Sequence, residues 1–325
     1  MLYPLKFRPR LKERIWGGSK LLQIKKAVRI DKSKPYGESW DISCVRGDLS
    51  AVANGQLKGN NLQELIEVYM GDLTGEKIFD KFGLEFPLLI KTLDCHDVLS
   101  VQVHPDDELA AERHNSFGKT EMWFVTACEE GASIYIGFAD TDITREKYLD
   151  AVSGGYLPRL LNKIEVKAGD AFFIPAGTVH ALGKGVEVVE IQQTSDVTYR
   201  IYDWDRTGAD GKPRELHTAL AVDAIDFRRK SEDCIIRKAA KENESVQLAE
   251  CQYFTVNLLK VEGSAEKDYA KLDSFVIYSC TSGSLTVETE GGTETITEGE
   301  TLLIPAEIND VTLTGSGTLL ETYIN

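Results

Sequence analysis

The chain has 325 residues, with 37 Lys and Arg against 52 Asp and Glu and a formal net charge of −15. Such an acidic chain is expected to repel nucleic acids and anionic membranes, and its sequence has no clustered basic run that would attract either. Its length and its 42% hydrophobic content are sufficient for two globular domains.

The six cysteines are scattered without a Cys-x-x-Cys pair, which is typical of reduced thiols in a cytosolic protein. The first residues, MLYPLKFRPRLKERIW, contain no apolar segment of the kind found in secretory signals. No apolar run approaches the ~18 residues that a membrane-spanning helix needs. We therefore expect a cytoplasmic protein with no membrane or nucleic-acid partner.

Helices and strands are mixed in the first third of the chain. Asn60 or Asn61 can cap a helix over LQELIEVYM, and a second short helix is predicted over Glu76–Phe82. A buried strand is expected at 87–93. After the next strand, Asp106 can cap a third helix over DELAAERH.

From Met122 onward the pattern is mainly β. Strands at EMWFVTACE and SIYIGF precede a helical insertion from Asp142 to about Asn162, for which Asp142 can supply the cap. Strands resume at KIEV, AFFIPAG, GVEVVEIQQ and VTYRIYD, and the residues after about 236 are β again.

A repeated segment connects the two β-rich parts. AGDAFFIPA at 168–176 matches EGETLLIPA at 298–306, and EMWFVTACEEGASIYIG parallels DSFVIYSCTSGSLTVET. In each corner glycine permits the turn, and proline ends the strand because it cannot donate to a sheet ladder. Many short strands, Gly turns and this corner predict two small β-barrels, the first of which carries the helical insertion.

Polar residues are predicted to converge inside the first barrel. Gln102 and His104 are two positions apart in a strand, so they project from the same face. Lys119 and Glu121 have the same spacing at the start of the next strand, and His180 follows the corner. Imidazole, amide and carboxylate groups that converge from adjacent strands make a divalent-metal site.

The alternative is that both histidines are ordinary, partly buried residues. The repeat argues against this, because the position that matches His180 is Asp310 and the one that matches Trp123 is Phe275, in a part of the chain without histidine. The second barrel therefore has the corner without the ligands, and we expect it to be structural.

The motifs QxHPDD, KTExW, GDxxxIPAGxxHAL and ExQxxSDxxYR, with RIWGG and GESWDIS near the N-terminus, resemble type I mannose-6-phosphate isomerases. The likeness is to the short bacterial form of this family, within the cupin superfamily. It implies a mainly β chain with two cupin-type (jelly-roll) barrels. A catalytic, metal-binding domain is expected over 1–235, and a cupin-like domain without metal ligands over 236–325.

The resemblance also implies one Zn²⁺ per chain, held by Gln102, His104, Glu121 and His180. A neutral amide, two imidazoles and one carboxylate leave a net charge of about +1 and room for water or substrate oxygens. The implied reaction interconverts mannose 6-phosphate and fructose 6-phosphate through an enediol. The partner is then a small sugar phosphate, and we expect a monomer or a weak homodimer.

Arg200 matches the catalytic arginine of the family and can stabilise an enediolate or hold phosphate. A structural ion pair of Arg200 with Asp196 or Asp203 is the alternative. Lys119 and Glu190 are candidate bases, Lys119 because a neighbouring cation should lower its pKa. The alternatives are a surface lysine at a loop end for Lys119, and for Glu190 a hydrogen-bond partner or a barrel-interior carboxylate that orients Arg200. Asp196 is a candidate for assisting ring opening.

Ser100 and Lys91 match positions at the phosphate end of related enzymes, and strand alternation puts Ser100 on the face of Gln102. Other interpretations are an isomerase of another sugar phosphate such as glucose 6-phosphate, a cupin dioxygenase, and a non-catalytic sugar-binding cupin. Gln102 in place of a third imidazole argues against redox chemistry. The presence of Lys119, Arg200 and all four ligands argues against a protein that only binds sugar.

Overall fold

The strands and helices follow the predicted order closely. The computed structural model describes residues 1–26, 30–140, 142–208 and 211–325. In chain order its strands are β1 (Leu5–Lys6), β2 (Arg10–Gly18), β3 (Tyr36–Ile42), β4 (Leu88–Asp94), β5 (Val101–Val103), β6 (Glu121–Cys128), β7 (Ser133–Phe138), β8 (Leu161–Glu165), β9 (Ala171–Ile174), β10 (His180–Leu182), β11 (Val186–Gln193), β12 (Tyr199–Tyr202), β13 (Ile235–Ile236), β14 (Ser245–Glu250), β15 (Thr255–Asp268), β16 (Val276–Thr289), β17 (Gly292–Thr297), β18 (Thr301–Ile304) and β19 (Asp310–Tyr323). Its α-helices are α1 (Lys20–Ile24), α2 (Leu62–Thr74), α3 (Glu76–Phe82), α4 (Asp107–His114), α5 (Arg145–Ser153) and α6 (Thr218–Ala224).

The N-terminal unit is a sandwich of two antiparallel sheets. The larger sheet has the strand order β13-β9-β6-β11-β4-β3-β2, and the smaller sheet has the order β12-β5-β10-β7-β8. Trp123, Phe172 and Ile174 of the larger sheet pack with Ile134 and Leu182 of the smaller one. Because packed sheets lie about 10 Å apart, side chains from both inner faces meet between them.

The larger sheet is buried on both faces. Its outer face, through Met122, Phe124 and Ile191, packs in one core with α2 and with Phe254 and Leu320 of the C-terminal unit. This double burial explains why β11, with the sequence VEVVEIQQ, has no alternation of polar and apolar residues: all eight of its residues are buried.

The C-terminal unit is one sheet whose long strands bend. Its order is β1-β18-β16-β19-β15-β14, with β17 paired to the second half of β16. A register shift between Cys280 and Ser282 marks the bend in β16. Tyr278, before the bend, and Leu285 and Val287, after it, share one core. The predicted mainly β, cupin-type fold is confirmed, although the hydrogen-bonded sheets remain open and do not close into complete barrels.

The ends of each unit reach into the other. β1 pairs with β18 in the C-terminal sheet, although it begins the chain. β13, at the predicted boundary, pairs with β9 in the larger N-terminal sheet. The division into 1–235 and 236–325 stays a prediction.

Two helices begin at the caps that the sequence indicates. The Asn61 side chain accepts a bond from the backbone N–H of Glu64 at 3.0 Å, and the Glu64 carboxylate accepts one from the Asn61 N–H at 2.8 Å. This reciprocal pair is a capping box for α2. Asp106 caps α4 by accepting a bond from Leu109 N–H at 2.9 Å.

The helical insertion is shorter than predicted, and its predicted cap is wrong. The Thr144 hydroxyl, not Asp142, caps α5 by accepting a bond from the Lys147 N–H, while the Asp142 carboxylate pairs with the Lys147 ammonium. A 3₁₀ turn at Leu157–Leu160 follows, and β8 then begins. Of the helices that the structure describes, none has the length and apolar character to cross a membrane.

The repeated corner has the same local structure in both units. His180 is the first residue of β10, and Asp310 is the first residue of β19. The predicted match of these two positions therefore agrees with the strands. All six cysteines carry free thiols, of which three are buried.

The predicted match of Trp123 with Phe275 is wrong. Trp123 pairs with Phe172 across β6 and β9, whereas Tyr278 pairs with Leu302 across β16 and β18. Leu302 is the corner residue that matches Phe172. Trp123 therefore corresponds to Tyr278, because the chain from Trp123 to Gly131 is three residues longer than the chain from Tyr278 to Gly283, which lies inside β16.

Candidate metal centre and active site

The inner face of the smaller sheet carries one row of site residues. Gln102 lies directly opposite His180 on one side and Arg200 on the other. Residues that are directly opposite in antiparallel strands point to the same face. His104, two positions after Gln102, continues that face beyond the end of β5.

The inner face of the larger sheet carries a second row. Glu190 lies between Lys91 and Trp123, and the next inward pair along the same strands is Gln192 with Glu121. Because the two sheets pack face to face, Glu121 and Glu190 point toward the histidines of the smaller sheet.

The Gly-Asp-x-x-x-Ile-Pro corner brings His180 into this space. Gly169 has a φ of +90°, a conformation that a residue with a Cβ rarely adopts, so the chain can turn there. Ile174 is buried at the end of β9. The backbone N–H of Gly177 then donates to the carbonyl of His104 at 2.9 Å, which ties the corner to the first histidine.

His104, Glu121 and His180 form a buried cluster. One donor atom from each lies within 4.8 Å of the others. Glu121 Oε2 is 3.5 Å from His104 Nε2, and Glu121 Oε1 is 3.4 Å from His180 Nε2. No member exposes more than 1% of its surface. Two imidazoles and a carboxylate at such separations can hold a metal ion.

The hydrogen bonds of the cluster fit this role. The Nδ1 atoms of His104 and His180 face the carbonyl oxygens of Val197 and Thr178, at 3.0 and 2.8 Å. Each ring therefore donates from Nδ1 and presents the lone pair of Nε2 to the cluster. Glu121 Oε1 is buried and has no hydrogen-bond partner among the described residues, which leaves it available to a cation.

Gln102 lies at the edge of the cluster. Its amide nitrogen is 3.2 Å from His180 Nε2. A half-turn of the terminal amide exchanges nitrogen and oxygen with little change in shape, so the amide oxygen can face the same point. Gln102 is therefore placed to be a fourth ligand, as the resemblance implies.

Lys119 brings a positive charge into the cluster. Its ammonium contacts Glu121 Oε2, lies 3.2 Å from His104 Nε2 and is 3.6 Å from Glu190 Oε1. Glu190 Oε1 also accepts a bond from Lys91 Nζ at 3.0 Å. The indole N–H of Trp123 donates to Glu190 Oε2 at 3.0 Å.

Burial and neighbouring charges shift the pKa values of these groups in different directions. Burial, reinforced by the charge of Glu190, raises the pKa of Glu121 to about 7. Burial opposes the ionisation of Glu190, but the charges of Lys119 and Lys91 outweigh it and lower the pKa of Glu190 to about 2. Burial lowers the pKa of His180 to about 4.

Two further pKa shifts follow from the same packing. Burial and the charge of Lys119 lower the pKa of His104 well below its usual value, so this ring is neutral near pH 7. Burial disfavours the charged form of Lys119, but Glu121 and Glu190 outweigh it and raise the pKa of Lys119. The expectation that a metal ion lowers this pKa stays a prediction.

Arg200 has one side-chain donor bound within the protein and one without a described partner. Its Nη1 donates to the carbonyl of Glu215 at 2.9 Å, and its Nε is buried without a partner among the described residues. Arg206 and Arg214 bind the carboxylate of Asp203, and the structure describes no ion pair between that carboxylate and Arg200. Burial, followed by the charge of Arg214, lowers the pKa of Arg200.

The remaining predicted residues differ in their placement. Lys91 and Ser100 are both buried, and Lys91 is bound to Glu190, while no side-chain bond of Ser100 is described. Asp196 is exposed in the loop between β11 and β12, and no described hydrogen bond joins it to the cluster. Their roles stay predictions.

Two site residues were missed. Trp123 lies in the core between the two sheets, and its indole N–H also binds Glu190, a contact that the KTExW motif did not predict. Glu38, in GESWDIS, accepts bonds from Arg14 at 2.6 Å and from the indole of Trp40 at 2.7 Å. Burial opposes the ionisation of Glu38, but the charges of Lys91 and Arg14 outweigh it and lower the pKa of Glu38, which places it next to the lysine of the site. The motifs contain both residues, but the sequence does not show which groups an indole N–H or a carboxylate will meet in the folded chain.

The fold and the cluster together define a class: a cupin-type β-protein with a buried donor set suited to a metal ion in its first unit. Residues 4–125 match the family model described as phosphomannose isomerase type I, catalytic domain. Residues 244–324 match the model described as mannose-6-phosphate isomerase, cupin domain.

Similar proteins cover the whole chain. Mannose-6-phosphate isomerase ManA of Bacillus subtilis is 36% identical over 99% of both chains. The mannose-6-phosphate isomerase of Streptococcus mutans is 34% identical over 100% of this chain and 99% of its own. The crystal structure of the mannose 6-phosphate isomerase from Bacillus subtilis superposes with a TM-score of 0.85 at 35% identity, covering 99% of each chain. The chain belongs to the type I phosphomannose isomerase family.

Proposed function

We propose that this protein is a zinc-dependent aldose–ketose isomerase that interconverts mannose 6-phosphate and fructose 6-phosphate. The observation that carries the proposal is the buried His104, Glu121 and His180 cluster, with the unpartnered Glu121 Oε1, on the inner faces of a type I phosphomannose isomerase fold. Family membership supports the substrate class and the reaction.

Gln102, His104, Glu121 and His180 would hold one Zn²⁺. When bound, zinc acts as a Lewis acid that polarises a substrate oxygen and stabilises negative charge on it. A mixed set of imidazole, carboxylate and amide donors would suit zinc.

The chain's own residues supply the other requirements. Arg200 lies beside Gln102 and keeps its Nε unpaired, so it can donate to the oxyanion of an enediolate.

Proton transfer between C1 and C2 needs a group that can gain and lose a proton at the site. Lys119, whose ammonium lies inside the cluster, is our candidate, and Glu190 is the other base that the sequence indicates. Lys91 and Ser100 are proposed for substrate binding, and Asp196 for ring opening. The proposed location is the cytoplasm.

Metal analysis with a coupled isomerase assay tests the proposal. We expect one zinc per chain, and loss of turnover on chelation that zinc restores. Unchanged activity after complete removal of zinc would show that the mechanism is wrong. Conversion of glucose 6-phosphate but not mannose 6-phosphate would overturn the substrate assignment.

Two substitutions separate metal binding from chemistry. His104→Ala should lose both metal and turnover, because it removes a ligand. Arg200→Ala should keep the metal and lose about 100-fold or more in kcat, because it removes an oxyanion donor. His96→Asn, at an exposed histidine, is the matched control and should change neither. Near-normal turnover of Arg200→Ala would refute the role of Arg200.

A further inference from the structure

Strand register shows that the buried glutamate of the active site has a counterpart in the second unit. Trp123 in β6 lies opposite Glu190 in β11, and Glu190 lies opposite Lys91 in β4. In the C-terminal unit, the residue that corresponds to Trp123 is Tyr278, and it lies opposite Glu321 in β19. Glu321 therefore occupies the register position of Glu190.

The third strand agrees with this correspondence. Lys91 of β4 faces Glu190, and Asn257 of β15 faces Glu321. Each unit thus has the same row across three strands, namely an aromatic residue, a glutamate and a side chain that donates to the glutamate. The donors are Lys91 Nζ at 3.0 Å and Asn257 Nδ2 at 2.8 Å.

Both glutamates are buried and paired with a cation. Glu190 exposes 3% of its surface and Glu321 exposes 1%. Glu321 Oε1 is 2.8 Å from the ammonium of Lys267, as Glu190 Oε1 is 3.0 Å from that of Lys91. The other oxygen accepts neutral donors in both cases, from Trp123 for Glu190 and from Ser245 and Asn257 for Glu321.

The C-terminal unit has neither a glutamate nor a histidine at the positions that correspond to Glu121 and His180. Val276 lies opposite Ile304, as Glu121 lies opposite Ile174, so an apolar residue stands where Glu121 stands in the first unit. The match of His180 is Asp310, which is exposed. A buried glutamate with a cationic partner therefore occurs in this fold at a place where the described residues form no metal-binding cluster.

We propose that Glu190 is a positioning residue that holds the ammonium groups of Lys91 and Lys119 in the site, and that it is not the base that moves the substrate proton. Its Oε1 faces both ammonium groups, at 3.0 and 3.6 Å, and its Oε2 is bound by Trp123. Because both oxygens are engaged within the protein, Glu190 stabilises the arrangement of the lysines that meet the substrate. The link to turnover rests on the proposed function.

Four variants test this inference: Glu190→Gln, Lys91→Met, the double variant and, as the matched control, Glu321→Gln. Unfolding midpoint, metal content and the pH dependence of kcat are measured for each. We expect Glu190→Gln and Glu321→Gln each to lower the midpoint by about 5 °C or more, because the first leaves the buried Lys91 without its counter-charge and the second removes a buried charge that Lys267, Asn257 and Ser245 bind. Both should keep one metal ion per chain, and Glu321→Gln should leave kcat unchanged.

The kinetics distinguish a positioning residue from a base. Glu190→Gln should lower kcat at least about tenfold, yet its residual turnover should keep the acid limb of the wild-type pH profile. The kcat of the double variant should be no more than about twofold below that of Glu190→Gln, because both substitutions disrupt the same contact between Glu190 and Lys91. Loss of the acid limb in Glu190→Gln, or losses that multiply in the double variant, would overturn the inference.

The stability readout keeps the test independent of the proposed function. If the wild-type protein had no isomerase activity, the proposed function would be refuted. The unfolding midpoints of the variants would still test whether Glu190 is a positioning residue. Buried groups kept for catalysis alone tend to cost stability. A Glu190→Gln protein that unfolds at or above the wild-type temperature would therefore overturn the positioning role, whereas parallel losses in Glu190→Gln and Glu321→Gln support it.

Discussion

Binding of a metal ion should release about one proton per ion at pH 6, and Glu121 should supply it. Burial raises the pKa of Glu121 to about 7, whereas burial lowers that of His180 to about 4 and that of His104 well below its usual range. Only the deprotonated forms of these groups bind a metal ion. At pH 6 about 90% of Glu121 and about 1% of His180 therefore carry a proton.

The difference between the pKa of Glu121 and those of the two histidines sets the direction and the size of the pH dependence of metal binding. Lowering the pH below about 7 should weaken apparent affinity about tenfold per unit, because one proton competes with the metal ion. At pH 8 the release should fall to about 0.1 proton. Ordinary pKa values in all three residues would instead release about 1.5 protons at pH 6, nearly all of them from the two imidazoles.

Titration calorimetry with Zn²⁺, a competing chelator and buffers of different ionisation enthalpy measures the number of protons released and the apparent affinity for the metal ion. His96→Asn, which removes an exposed histidine, should leave the proton count unchanged. A release of about 1.5 protons or more at pH 6 would refute the reasoning. Affinity that does not change between pH 6 and pH 7 would refute it equally.

Two further predictions concern stability and are read from urea denaturation. Lys25→Met removes the partner of the buried Asp41 and a bond to the Gly299 carbonyl across the two units, so the free energy of unfolding should fall by about 3–5 kcal/mol. The neighbouring variant Lys26→Met, at an exposed ammonium, should change it by less than about 0.5 kcal/mol; equal losses would contradict the role of Lys25. Asn61→Ala removes the capping box of α2 and should lower the free energy of unfolding by about 1 kcal/mol. An unchanged midpoint of urea unfolding would show that the cap does not contribute to stability.

Local chemistry made several features of this chain predictable. Asn61 and Asp106 begin helices because their side chains accept bonds from backbone N–H groups within the next three residues. Gln102 and His104 share a face because strand geometry has a period of two. The corner before His180 depends on one glycine and one proline, whose conformational limits are intrinsic to those residues. Each of these signals acts over a few residues.

Other features needed the packed structure. The choice of Thr144 over Asp142 as the cap of α5 depends on where the chain enters the helix. β11 has no alternation because the C-terminal unit covers the outer face of its sheet, a contact between distant segments. Strand pairing, and not a constant offset along the sequence, sets the correspondence of Trp123 with Tyr278.

The ligand types and their strand parity were therefore determined by the sequence alone, since both are properties of neighbouring residues. The network around them was decided by the tertiary structure. Glu190, Lys91 and Trp123 lie on three strands, Lys119 lies just before one of them, and these groups meet only after the sheet has formed. Burial in that sandwich then sets which groups are charged, because desolvation depends on everything that surrounds a side chain and on no short stretch of sequence.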